Sequence, residues 1–191
     1  ARGEQDKNSD IDIVAISQNL SKEIISDKYH LSIIPLEKLS KTLEKNPILV
    51  LPRILEAKPI LNSLLLDELK KVKISKSNFF KYLEETKRII GINKKLLEEE
   101  KEILEANEII YSLILRLRGI FIIKKILQNT LYSKVGFEKE LSKIVDKTKR
   151  EKVYNIYQAI RDNKKTKIQI ETKIAKNLLD FLEKEVKMLY G

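Results

Sequence analysis

An α+β fold is predicted for this chain, with a small mixed sheet in residues 1–74 and an all-α helical bundle in residues 75–191. Two observations carry this expectation. Residues 11–16 and 29–36 are apolar runs of strand length, and such runs stop beyond Ser63. From there apolar residues recur at helical spacing: Leu83, Ile90, Leu97 and Leu104 lie seven apart, and residues 106–131 are apolar on several sides. A chain of 191 residues accommodates one large domain or two small ones, each with a core.

The first strand carries two acids. Along Ser9-Asp10-Ile11-Asp12-Ile13-Val14-Ala15-Ile16 the side chains alternate faces, so Asp10 and Asp12 share one face while Ile11, Ile13 and Ala15 take the other. Neighbouring carboxylates repel and lose hydration, a penalty that a cation between them removes. A hard divalent ion accepts oxygen ligands and keeps water and substrate phosphates around it, so the pair points to metal-assisted phosphoryl or nucleotidyl transfer. The plainer reading is a solvated strand end with two Asp by coincidence.

Residues 18–28 are polar around Ile24 and Ile25 and read as a connection with at most one helical turn. Residues 29–36 form the second strand, ended by Pro35, which has no amide hydrogen for a ladder. Its alternation puts His30 and Ser32 on one face. His30 is the sole histidine, and no sequence spacing supplies the orienting partner that a catalytic histidine requires, so it reads as structural or solvent-facing. Residues 37–45 read as a short surface helix, residues 48–55 as a helix kinked at Pro52, and residues 58–62 as an edge strand bounded by Pro59. A linking helix over residues 64–73 follows, and Ser75, Ser77 and Asn78 offer N-caps for a long helix, which sets the boundary near residue 75.

In that long helix Ile89, Leu96 and Ile103 form a second row beside Leu83, Ile90, Leu97 and Leu104, making one apolar stripe of bundle type. The run Glu98-Glu99-Glu100-Lys101-Glu102 reads as a solvated face with local ion pairs. Residues 106–131 should be the central helix. Arg116 and Arg118 interrupt it, and each must snorkel, join an ion pair or meet an anionic substrate. Residues 133–136 read as a turn, residues 137–145 and 150–161 as helices, residues 162–167 as a basic loop, solvated or in contact with phosphate, and residues 168–189 as a final amphipathic helix.

Composition narrows the partners. The formal net charge is +10, a field that favours nucleotides, nucleic acid, anionic membrane or an acidic protein. The absence of cysteine excludes disulfides, thiolate metal sites and thiol catalysis. With no apolar run of membrane length and no signal-peptide pattern, the expectation is a cytoplasmic protein without a membrane partner, and the Lys, Glu and Ile content leans towards heat adaptation.

Ala1-Arg2-Gly3-Glu4, a short polar loop and Ser9-Asp10-x-Asp12 running into an apolar strand resemble the polymerase-β-like nucleotidyltransferase superfamily, most closely its minimal class. Members open the motif with Gly-Ser-x-Ala-Arg-Gly, and the resemblance implies that the Gly-Ser precedes Ala1. The likeness is specific over residues 1–16, faint over residues 29–66 and fades beyond. It implies that Asp10 and Asp12 are catalytic and hold Mg2+, or Mn2+, bridging a nucleoside triphosphate such as ATP. Arg2 and Ser9 would lie at the phosphates, and Gly3 would let the loop turn tightly. The implied acceptor is a small molecule or a protein side chain, with the bundle as acceptor-binding domain.

The superfamily's neighbouring strand commonly brings a third carboxylate, and the position aligned with it here is Ser32, which cannot ligate as an anion. Three outcomes stay open: a site with two carboxylates, a substitute such as Asp27 or Glu37, or a fold that binds nucleotide without turning it over. The alternative to an enzyme is a nucleic-acid- or protein-binding module that uses the basic bundle. The helical region is loosely similar to HEPN and aminoglycoside-nucleotidyltransferase C-terminal bundles. It lacks the Arg-x4-His ribonuclease motif of HEPN proteins, since Phe121 stands at that spacing from Arg116.

Overall fold

The computed structural model describes residues 11–190, and the chain falls into two compact units that divide between Phe79 and Phe80. The fold is α+β, a small mixed sheet followed by helices. In the first unit β1 (Ile11–Ser17), β2 (Lys22–Ser26) and β3 (Tyr29–Pro35) form a sheet of order β1-β3-β2. β1 runs parallel to β3, with Asp12 opposite His30 and Val14 opposite Ser32. β2 runs antiparallel to β3, with Glu23 opposite Ser32 and Ile25 opposite His30.

β2 corrects the expected polar connection. All five of its residues are exposed, so it shows none of the buried alternation that marks a strand in a sequence. The ladder with β3 and a tight turn at Asp27, whose φ of 52° suits a short polar side chain, hold it instead.

Helices follow the sheet. α1 (Leu36–Lys45) is more than a surface helix, because Leu39 and Leu43, one turn apart, are buried with Leu51, Ile54, Leu69 and Phe79 in the core of this unit. The kink expected at Pro52 is a full break: a 3-10 turn, Pro47–Leu49, ends before α2 (Leu51–Glu56), and Pro52 sits in the first turn of α2, where its missing N–H leaves no bond unmade. Residues 58–62 form no strand. Asn62 instead takes a left-handed φ of 54°, and its Oδ1 accepts the Leu65 amide at 3.2 Å to cap α3 (Ser63–Lys70). The 3-10 turn Lys76–Phe79 belongs to this unit, tied to α1 by Asn78 Nδ2 donating to the Glu44 carbonyl at 2.8 Å.

The second unit comprises α4 (Phe80–Glu99), α5 (Glu108–Leu127), α6 (Lys134–Leu141), α7 (Lys147–Arg161) and α8 (Thr172–Tyr190). α5 is the central helix; Ile110, Leu113, Ile114 and Ile123 are wholly enclosed as it packs against α4, α7 and α8. On α4 the buried stripe is Leu83, Thr86, Ile90, Asn93 and Leu97, whereas Leu96 is exposed and Ile89 half-buried. Two polar residues face inward because their groups are satisfied there. Thr86 Oγ1 donates to the Tyr82 carbonyl at 2.7 Å, and Asn93 Nδ2 donates to the Ile89 carbonyl and to Ser112 Oγ, both at 3.0 Å.

The acidic run is exposed at Glu98, Glu99, Lys101 and Glu102, with a local pair between Lys101 and Glu105, and the helix ends within it at Glu99. The Glu100 carboxylate turns the chain by accepting the amides of Glu105 and Ala106 at 2.7 and 3.0 Å. A short strap follows, in which the Leu104 amide bonds the Ile170 carbonyl and the Thr172 amide the Glu102 carbonyl, each at 2.9 Å. This explains why Leu104 is buried outside any helix. α6 starts one turn earlier than expected because Ser133 Oγ caps it, accepting the Gly136 amide at 2.9 Å, and Asp146 caps α7 through the Lys149 amide at 3.0 Å. Within the core Lys124 Nζ meets the Glu185 carboxylate at 2.5 Å. The rings of Phe80 and Tyr190 stack with centroids 6.3 Å apart, so the two ends of this unit touch. No helix among the described residues is long and apolar enough to cross a membrane.

Candidate functional site

Of the residues that the sequence singles out, Asp12 is the second residue of β1, whereas Arg2, Gly3, Ser9 and Asp10 lie outside the described residues. Asp12 does not stand alone on its face. Its Oδ1 lies 3.4 Å from Nδ1 of His30, the residue opposite it on β3, and Nε2 of the same ring lies 3.8 Å from Oε2 of Glu23 on β2. One side chain from each strand thus forms a row of carboxylate, imidazole and carboxylate.

Exposure grades across this row. The His30 side chain is 27% exposed, against 54% for Asp12 and 73% for Glu23, so the ring is held by the sheet while both acids reach solvent. Nε2 is enclosed and has no hydrogen-bond partner, since 3.8 Å exceeds bonding distance. Among the described residues neither acid pairs with a lysine or arginine. Two negative charges against at most one imidazolium leave the face short of positive charge, the condition in which a cation is attracted.

The strand register places the position aligned with the third acid. Ser32 is on the expected face, yet it lies opposite Val14 rather than Asp12 and is only 4% exposed. His30 holds the place directly beside Asp12. Of the two substitutes, Glu37 sits past the far end of β3, where Lys41 bonds it at 2.5 Å and holds its carboxyl below the usual range. Asp27 lies at the near end, in the turn whose Lys28 carbonyl accepts the Ile11 amide at 2.7 Å.

Sequence spacing missed His30 because its partners come from the ladder. The one available signal was the shared parity of His30 and Ser32, which names a face and not a neighbour. Glu23 was missed together with its strand. An open groove of about 570 Å3, lined by Gln18, Asn19, Lys38, Lys41, Lys45 and Asn46, lies at the opposite ends of β1 and β3 from Asp12 and so is separate from this row.

In the second unit Arg116 lies 3.9 Å from the Glu85 carboxylate, with its guanidinium 5.1 Å from the centre of the Tyr82 ring, and so takes the ion-pair role. The Tyr82 phenol fits only because residue 119 is glycine: a Cβ there would come within 1.7 Å of its oxygen. No known protein family, curated protein or solved structure matches the chain.

Proposed function

We propose that the chain is a Mg2+-dependent nucleotidyltransferase that moves a nucleoside monophosphate from a nucleoside triphosphate, ATP foremost, to an acceptor. The carrying observation is the Ser9-Asp10-x-Asp12 motif leading into β1, where Asp12 shares a sheet face with His30 and Glu23. The donor set suits a hard divalent cation: Asp12 is exposed, has no Lys or Arg partner among the described residues, and stands in the row with surplus negative charge. Among the described residues no three His, Asp or Glu side chains group to hold a metal, and in this proposal Asp10 joins Asp12 as a ligand. Mg2+ or Mn2+ bound there would neutralise the triphosphate and orient it for displacement of pyrophosphate.

The chain's own residues do the rest. His30 stands between Asp12 at 3.4 Å and Glu23 at 3.8 Å, and with its Nε2 enclosed it serves to orient the Asp12 carboxylate. Arg2 and Ser9 bind the phosphates. The +10 charge favours, as a second reading, a nucleic-acid- or protein-binding module.

Calorimetric titration of ATP with Mg2+ separates the two. Asp12→Asn should weaken metal-dependent ATP binding about tenfold or more, and His30→Asn, which removes the ring beside Asp12, should weaken it by a smaller factor. Equal ATP affinity in wild type and Asp12→Asn would sink the enzyme reading. Polyanion binding that falls steeply with salt and ignores Asp12 would favour the second.

A further inference from the structure

In the second unit one guanidinium has no carboxylate partner among the described residues. Arg118, on α5, donates from Nη1 to the Tyr157 hydroxyl at 3.5 Å and lies 5.2 Å from the centre of the Tyr132 ring. Tyr157 stacks on Tyr111 at 5.4 Å, and both Tyr132 and Tyr157 are buried. Tyr154, one turn before Tyr157 on α7, joins this group: its enclosed hydroxyl has no hydrogen-bond partner, and burial raises its phenol pKa, with Glu138, Tyr132 and Arg118 acting on it as neighbours. Arg161, one turn after Tyr157 on the same helix, carries a second guanidinium and is itself bonded to Asp162 at 2.8 Å.

Among the described residues Arg118 pairs with no carboxylate, and its Nε is enclosed without a partner. A desolvated cation with unmade hydrogen bonds is unfavourable by itself. The aromatic faces and the Tyr157 hydroxyl offset part of that penalty and leave Nε unsatisfied. Arg118 as a residue is only partly buried, although its Nε is enclosed. The unmet donors belong to two elements, Arg118 Nε from α5 and the Tyr154 hydroxyl from α7. A planar carboxylate is satisfied by one guanidinium edge, whereas a tetrahedral dianion takes donors from several directions and suits two guanidinium groups.

We propose that Arg118, Tyr154 and Arg161 form a binding subsite for a phosphate group. The subsite stands on the second unit alone and is independent of the nucleotidyltransferase reading. The test is the melting temperature of the full chain in sodium phosphate, against chloride and acetate at equal ionic strength. Wild type should melt several degrees higher in phosphate than in either control, and Asp12→Asn should keep this response in full. Arg118→Met should lose the response while melting no lower than wild type in chloride, because it removes an unpaired charge. Tyr154→Phe should respond less than wild type. The proposal is overturned if Arg118→Met or Tyr154→Phe responds like wild type, if acetate matches phosphate, or if Arg118→Met melts well below wild type in chloride. A fall in chloride for Glu138→Gln also overturns it, by identifying Glu138 as the native counterion of Arg118.

Discussion

His30 has Asp12 directly opposite it and Glu23 on the diagonal, and the register makes Ser32 and His30 distinguishable by mutation. His30→Asp places a carboxylate directly opposite Asp12. It should lower the melting temperature in EDTA through like-charge repulsion and show a larger rise with Mg2+ than wild type. Ser32→Asp puts a charge at a position 4% exposed, opposite Val14, and should destabilise by about 1–3 kcal/mol or more with no added response to Mg2+. Thermal melts with and without the ion decide; a larger Mg2+ response in Ser32→Asp would restore Ser32 as the third-ligand position. At this scale the sequence disclosed Asp12, because two acids one residue apart on a strand must share a face. It could not disclose which residue of β3 stands beside Asp12, since a two-residue slide along the ladder preserves every side chain's face.

Lys124 and Glu185 join α5 to α8, with the Glu185 side chain 7% exposed. Removing one partner strands the other charge, so Lys124→Met should destabilise by about 3–5 kcal/mol, and adding Glu185→Leu should recover most of it. Urea denaturation of the two variants measures this; an unchanged midpoint for Lys124→Met would show that Glu185 finds water or another cation. Among the elements, α5 was legible because an apolar run on all sides allows only a buried helix. The α4 stripe was half legible: the row through Leu83, Ile90 and Leu97 is buried, but the row beside it is Thr86 and Asn93, whose side chains satisfy themselves on carbonyls one turn back. Apolar counting selects Ile89 and Leu96 and overlooks that option. β2 escaped for the converse reason, being stabilised by backbone pairing while its side chains stay in water.

On the scale of the whole molecule, each unit has its own buried apolar cluster, the first around Leu39, Leu43 and Phe79 and the second around α5. Residues 80–191 expressed alone should therefore give a helical circular-dichroism spectrum and a single cooperative melt. A broad, non-cooperative loss of signal would show that the bundle depends on the first unit. The stack of Phe80 on Tyr190 carries a further consequence. Where a unit's first and last residues are neighbours, its sequence is in effect a ring that happens to be cut at that point. A short Gly/Ser linker from Tyr190 to Phe80, with new termini opened between Lys164 and Lys165 in the exposed stretch after α7, should yield a circular permutant with the same helical spectrum, melting within a few degrees of the parent fragment.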